Sequence, residues 1–232
     1  VASYPGCCGM PQLEQGDVAD VAAKARTVSS ELLKHVREGR TVVSLTPSCS
    51  LMLKSEWPLL LPNDQTVKEV AEHTMDISEY VVSLKSQERL SLDGLASLKG
   101  VKGVQLHHAC HARAQNMGCK SGEMLRLIPG LAVTTVERCS GHGGSWGCKT
   151  KHHQTAHKVG TPAARALLKL PKGMASGEAV LSSECPLAAQ HLMQLVGDIT
   201  KKKNSEDPFA AHVHPIQLLA AAYGLQELQN VQ

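Results

Sequence analysis

The sequence predicts an α/β protein made of two pseudo-repeated halves, each a mainly parallel strand–helix unit with cysteine loops at the carboxyl ends of its strands. Three observations predict it. Apolar residues switch repeatedly between helical spacing and short buried runs, the alternation that builds parallel sheets. A pattern in the first half returns in the second. Six of the eight cysteines, at 7, 8, 49, 110, 139 and 185, fall in turns or just past strand candidates, where α/β folds place their sites.

The first half opens with "YPGCCGMP", which sets Cys7 and Cys8 side by side ahead of a glycine. Neighbouring thiols rarely pair with each other, because disulfide geometry strains at that separation. Val18, Val21, Ala22, Ala25, Val28, Leu32 and Val36 then recur at helical spacing, and Gly39 ends the run. "TVVSL" (41–45) reads as a buried strand that delivers Cys49 to the start of a new helix. "DISEYVVSL" follows about thirty residues on.

The second half begins with an additional piece, "GVQLHHACHARAQNMG", whose strand "VQL" leads to Cys110 and a helix. "VERCSGHGGSWG" sets Cys139 in a glycine-rich turn, a helix runs through "PAARALLKL", and the strand "EAVL" leads to "SSECPLAA" with Cys185. "VSLTPSCSLML" and "AVLSSECPLAA" match in pattern, laying Leu45 over Leu181 and Cys49 over Cys185. The intervals agree too: 42 residues separate Cys7 from Cys49, and 46 separate Cys139 from Cys185. Cys110 lies 29 residues before Cys139, so the repeat predicts a counterpart upstream of Val1 and a first repeat that is truncated at its amino end. The expected division is residues 1–93, a linker at 94–103 and residues 104–232. "TKKKNSEDP" (200–208) reads as a solvated loop.

Composition narrows the class. Hydrophobic residues at 42% and charged residues at 19% describe a globular chain rather than a disordered one. A net charge of +3, spread along the sequence, with only six aromatic residues to stack on bases, argues against nucleic acid. No apolar run approaches a membrane span and no signal-peptide pattern opens the chain, so no membrane span is expected and peripheral association stays open. Scattered cysteines near turns point to metal or redox chemistry in a reducing, cytoplasmic setting rather than to a disulfide framework.

Thiolates converging from several loops suit soft metals and iron–sulfur clusters, and nearby glycines let backbone N–H groups approach sulfur. Structural zinc sites favour compact C-x-x-C knuckles, which are absent.

"CCGMP", "HHACHARAQNMG", "ERCSGHGGSWG" and "HPIQLLAAAYGL", in this order, resemble the cysteine-rich CCG domain family. That family includes the CCG-bearing subunit of heterodisulfide reductase and the iron–sulfur subunits of anaerobic glycerol-3-phosphate dehydrogenase, glycolate oxidase and lactate-utilisation enzymes. The resemblance covers nearly the whole chain, and is strongest to the heterodisulfide reductase-related iron–sulfur binding proteins. It implies an iron–sulfur cluster of the 4Fe-4S type held by Cys7, Cys8, Cys49, Cys110, Cys139 and Cys185, with His142 as a further candidate. It implies electron transfer in a heterodisulfide reductase-like or dehydrogenase-linked system, with a dehydrogenase, flavoprotein or ferredoxin-like protein as redox partner. The chain departs from the family pattern in two ways. C-x-x-C is reduced to one cysteine in each half, with Thr46 and Cys49 in the first and Cys185 and Ala188 in the second; and Ser140 follows Cys139 where a doubled cysteine is expected. These losses favour the alternative of a zinc-binding or thiol-sensing module on the same scaffold.

Other motifs read more plainly. Cys119 and Cys148 have no counterpart in the repeat and read as incidental or packed thiols. His107, His108 and His111 flank Cys110, and are expected to hydrogen-bond a carboxylate or a backbone carbonyl. "KHHQTAH" spaces His153 and His157 one helical turn apart, a metal-compatible interval on what reads as a solvated face. "GHGGSWG" hints at a nucleotide loop, but Glu184 lies 43 residues from Gly141, about twice the interval of ~20 to a ribose-binding acid. Trp57 and Trp146 read as packing residues.

Overall fold

The structure, a computed structural model, describes residues 6–225. It is α/β, with parallel strands in two sheets. The chain divides into two compact units, Val1–Tyr80 and Val81–Gln232.

In the first unit, α1 (Met10–Leu13) follows the paired cysteines and α2 (Val18–Arg37) carries the amphipathic stripe. Asp17 caps α2 by accepting the Asp20 N–H at 3.1 Å, which satisfies one otherwise orphaned donor. Val21, Ala25, Val28, Leu32 and Val36 bury on one side of it, at the spacing the sequence shows. β1 (Val42–Ser44) runs into α3 (Pro47–Leu51), a π-helical turn (Met52–Glu56) and α4 (Trp57–Leu60). α5 (Gln65–Glu72), capped by Asp64, leads to β2 (Thr74–Asp76), which pairs parallel with β1. The core gathers α2, Met52, Trp57, Val67 and Val70, and Trp57 is wholly buried, in keeping with a packing role. α6 (Ile77–Ser86) contains the boundary between the units.

The second unit is a four-stranded parallel sheet. β3 (Gly103–His107) leads to α7 (Cys110–Ala114) and α8 (Lys120–Leu125); β4 (Ala132–Val136) leads to α9 (Thr150–Leu167). β5 (Ala179–Ser183) leads to α10 (Pro186–Lys202), and β6 (Phe209–Val213) to α11 (Pro215–Ala222). The spatial order is β4-β3-β5-β6. β3 is therefore central, and the sequence reverses direction across the sheet between β3 and β5, where open α/β sheets leave a crevice at their carboxyl ends. Gly103, Val104, Gln105, Leu106 and His107 are all buried, as expected for a strand covered on both faces. Ala163, Leu167, Leu181, Leu192 and Val196 pack α9, β5 and α10 together. α10 ends in the exposed lysines of the solvated stretch.

The two halves do not superpose as the sequence pattern lays them. Leu45 is 60% exposed, whereas Leu181 is fully buried. The helix starts give the reason: Thr46 precedes Pro47 as the cap of α3, while Cys185 itself precedes Pro186 as the cap of α10. By position at the helix start, Cys185 corresponds to Thr46 and Cys49 to Ala188. The two halves thus retain opposite members of a C-x-x-C pair.

Candidate metal centre

All eight cysteines are free thiols. In the first unit, Gly9 takes up a left-handed φ of +89° as the residue before α1, which turns the chain directly after Cys8. The indole Nε1 of Trp57 donates to the Cys8 carbonyl at 2.9 Å and pins this turn to the core. Cys8 Sγ then lies 3.5 Å from Cys49 Sγ, near the start of α3. Cys8 donates to Cys49, so the Cys49 thiol is lowered to about 7, first by this hydrogen bond. Cys8 keeps its proton, held by its bond to Cys49 and by burial. Cys7 is exposed, and close enough for its charge to act on Cys49. Cys8 and Cys49 thus form a close pair with Cys7 in its neighbourhood. Beside Cys49, Ser50 donates to the buried Asp76 at 3.2 Å, which ties α3 to the end of β2.

In the second unit the strand order makes the site. β4 and β5 both flank β3, at about 4.8 Å per strand, so their carboxyl ends lie about 10 Å apart. Cys139, Cys110 and Cys185 leave those three adjacent ends, two or three residues beyond each strand. Burial pushes the Cys110 thiol up, and the neighbouring Cys139 adds to it. Burial also raises Cys185, with contributions from Cys110 and Glu184. Backbone N–H groups oppose this: that of Gly141 donates to Cys139 Sγ at 3.3 Å, that of His111 faces Cys110, and those of Ala188 and Leu187 face Cys185. Such N–H···S bonds stabilise thiolates, so the donor set fits thiolate ligation.

His142 reaches into this group. Its Nε2 lies 3.9 Å from Cys185 Sγ, and its Nδ1 pairs with Ser140 Oγ at 2.9 Å. Burial first, then His191, lowers its pKa to about 4, which keeps the ring neutral at pH 7. The glycine-rich turn brings it there. Gly141 has φ +84°, and a Cβ at that position would stand 2.2 Å from the Ala156 carbonyl of α9.

His107 is occupied as a tie between strands. Its Nε2 pairs with the Arg138 carbonyl at 2.8 Å and its Nδ1 with Ser183 Oγ at 3.0 Å, joining the ends of β4, β3 and β5. Glu184 is buried and spent on structure, accepting from the Ala109 N–H at 3.1 Å and from the Ser121 hydroxyl. That use removes it as a ribose-binding acid. Ser121, Ser183 and the Arg138 carbonyl carry no sequence signal, because their roles depend on which strands are adjacent.

Cys119 is half-buried; burial works against its ionisation, but the neighbouring His108 holds it below the ordinary thiol range. Trp146 is 39% exposed and stacks on His152 at 4.4 Å rather than packing in the core. Among the described residues, no three His, Cys, Asp or Glu side chains already close on one point as a single-ion site would require. No helix among them is long and apolar enough to cross a membrane.

No protein-family model matches the chain. A 165-residue stretch, 69% of the chain, is 28% identical to one of the subunits of anaerobic glycerol-3-phosphate dehydrogenase from Escherichia coli strain K12, and equally to its counterpart in strain O157:H7. The match spans 40% of the length of those relatives, so the similarity concerns one part of a larger protein.

Proposed function

We propose that this chain is an iron–sulfur-binding, electron-transferring subunit of a dehydrogenase-type oxidoreductase. The observation that carries the reading is the meeting of Cys110, Cys139 and Cys185 at three adjacent strand ends, each thiol faced by backbone N–H groups or neighbouring thiols. Similarity to the anaerobic glycerol-3-phosphate dehydrogenase component supports the same class. Cys110, Cys139 and Cys185 would hold one cluster, of the 4Fe-4S type, with His142 as a further candidate whose ring would have to swing away from Cys185 to reach a separate iron. Cys7, Cys8 and Cys49 would hold a second group. A bound cluster supplies one-electron chemistry at a potential set by burial and by hydrogen bonds to sulfur. The protein's part is to keep His142 neutral, to aim N–H groups at the thiolates and to leave the site near the surface, where a flavoprotein or ferredoxin-like partner can dock. A thiol or disulfide substrate, as in heterodisulfide reductase, is the finer form of this proposal.

One observation favours a second reading for the first unit. Tetrahedral zinc with bonds of about 2.3 Å sets thiolates about 3.8 Å apart, and Cys8 and Cys49 are 3.5 Å apart. Iron, zinc and acid-labile sulfide measured on anaerobically prepared protein, with EPR before and after reduction, decide between them. Iron with sulfide and a redox-dependent signal is expected, and Cys139→Ser should lower the iron content. Zinc without sulfide would overturn the electron-transfer reading.

A further inference from the structure

α9 and α10 carry a group of imidazoles that the thiol site does not use. His153 and His157 stand one turn apart on α9, with ring centroids 4.1 Å apart, and His191 on α10 lies edge-on to His157 at 5.4 Å. Nε2 of His157 and Nε2 of His191 are both buried, and neither has a hydrogen-bond partner among the described residues. A buried polar nitrogen without a partner costs free energy, so two in one place call for an explanation. His157 Nδ1 lies 3.8 Å from the Asp198 carboxylate, and the Ala156 backbone faces the His191 ring. A carboxylate or carbonyl beside one nitrogen, with the metal on the other, is the usual setting of an imidazole ligand.

The spacing agrees. A metal–nitrogen bond of about 2.05 Å, plus about 1.15 Å from nitrogen to ring centre, puts each centroid about 3.2 Å from the ion. Two such rings at the tetrahedral angle lie about 5.2 Å apart. His157 and His191 are 5.4 Å apart. Burial, followed by the neighbouring His157, lowers the pKa of His191, so that its ring is neutral and available near pH 7.

We propose that His157 and His191, completed by His153, form a second metal site for a divalent first-row ion of the imidazole-preferring class, such as Zn²⁺ or Ni²⁺. His153 is exposed and sits too close to His157 to ligate in its present rotamer. Rotation of its side chain opens the angle and supplies the third nitrogen, leaving water for the remaining position. The site is built without any of the cysteines, and His191 also faces His142 of the thiol site.

Ni²⁺ titrated calorimetrically into the anaerobically prepared full chain tests the site, with iron and sulfide measured on the same samples. One equivalent of Ni²⁺ is expected, weakened about tenfold or more in His157→Gln and in His191→Gln. His152→Gln, whose ring stacks on Trp146, should bind as the parent does, and iron content should stay constant throughout. In the unaltered protein Ni²⁺ should also shield His157 and His191 from carbethoxylation, a readout that needs no variant to fold. Full-affinity binding in the His157→Gln/His191→Gln double variant, or absence of shielding at saturating Ni²⁺, would overturn the proposal.

Discussion

Replacing Gly141 by alanine tests how the glycine-rich turn places Cys139. At φ +84° an L-residue is strained by about 1–2 kcal/mol. The new Cβ would also stand 2.2 Å from the Ala156 carbonyl and 2.7 Å from the Gly160 nitrogen. Both are backbone atoms of α9 and cannot swing aside as a flexible side chain would. Relieving the overlap requires about 1 Å of movement between the turn and the helix, and overpacking of that kind costs about 1–3 kcal/mol more. The total is about 2–5 kcal/mol. Gly173 makes the comparison clean, because its φ is +83° and nothing lies within 4 Å of where its Cβ would go. Gly173→Ala should therefore cost only the backbone strain, about 1–2 kcal/mol. Urea unfolding of both variants gives the difference. Metal content reads the site, since the Gly141 N–H donates to Cys139 Sγ and moves with the turn. Gly141→Ala should lose bound metal and Gly173→Ala should keep it. Equal destabilisation of the two, or full metal loading in Gly141→Ala, would refute the close approach as the reason for glycine.

In metal-free protein, alkylation of Cys49 should rise with a midpoint near pH 7, and Cys8→Ala should move that midpoint upward by removing the hydrogen bond that lowers it; an unmoved midpoint would contradict the pairing. Trp57→Phe leaves a cavity in the core and cannot donate to the Cys8 carbonyl, so it should cost about 2–4 kcal/mol in urea unfolding and speed alkylation of Cys8. His142 has a folded pKa of about 4, below the ordinary value near 6.5, so the unfolded chain takes up its proton first as the pH falls. Stability should be present above about pH 6.5 and lost toward pH 4, by about 2 kcal/mol over that window after allowance for partial exposure. Burial lowers His107 and His191 in the same direction. His142→Gln should flatten the profile, and a parent protein more stable at pH 5 than at pH 7 would show the sign to be wrong.

Sequence alone determined the features that depend on near neighbours. The amphipathic spacing from Val18 to Val36 becomes α2, "VQL" lies within β3 and "EAVL" overlaps β5, because periodicity and chain stiffness act over a few residues. The placement of cysteines just past strands was legible for the same reason. Tertiary structure decided what depends on distant parts of the chain. The order β4-β3-β5-β6 makes Cys110, Cys139 and Cys185 neighbours, and hydrophobic pattern carries no information about which strands lie side by side. The tie from His107 to Arg138 and Ser183, the lowered thiol of Cys119 beside His108, and the unbonded nitrogens of His157 and His191 were likewise invisible in one dimension. A side chain's direction and its buried partners are set only when sheet and helices pack.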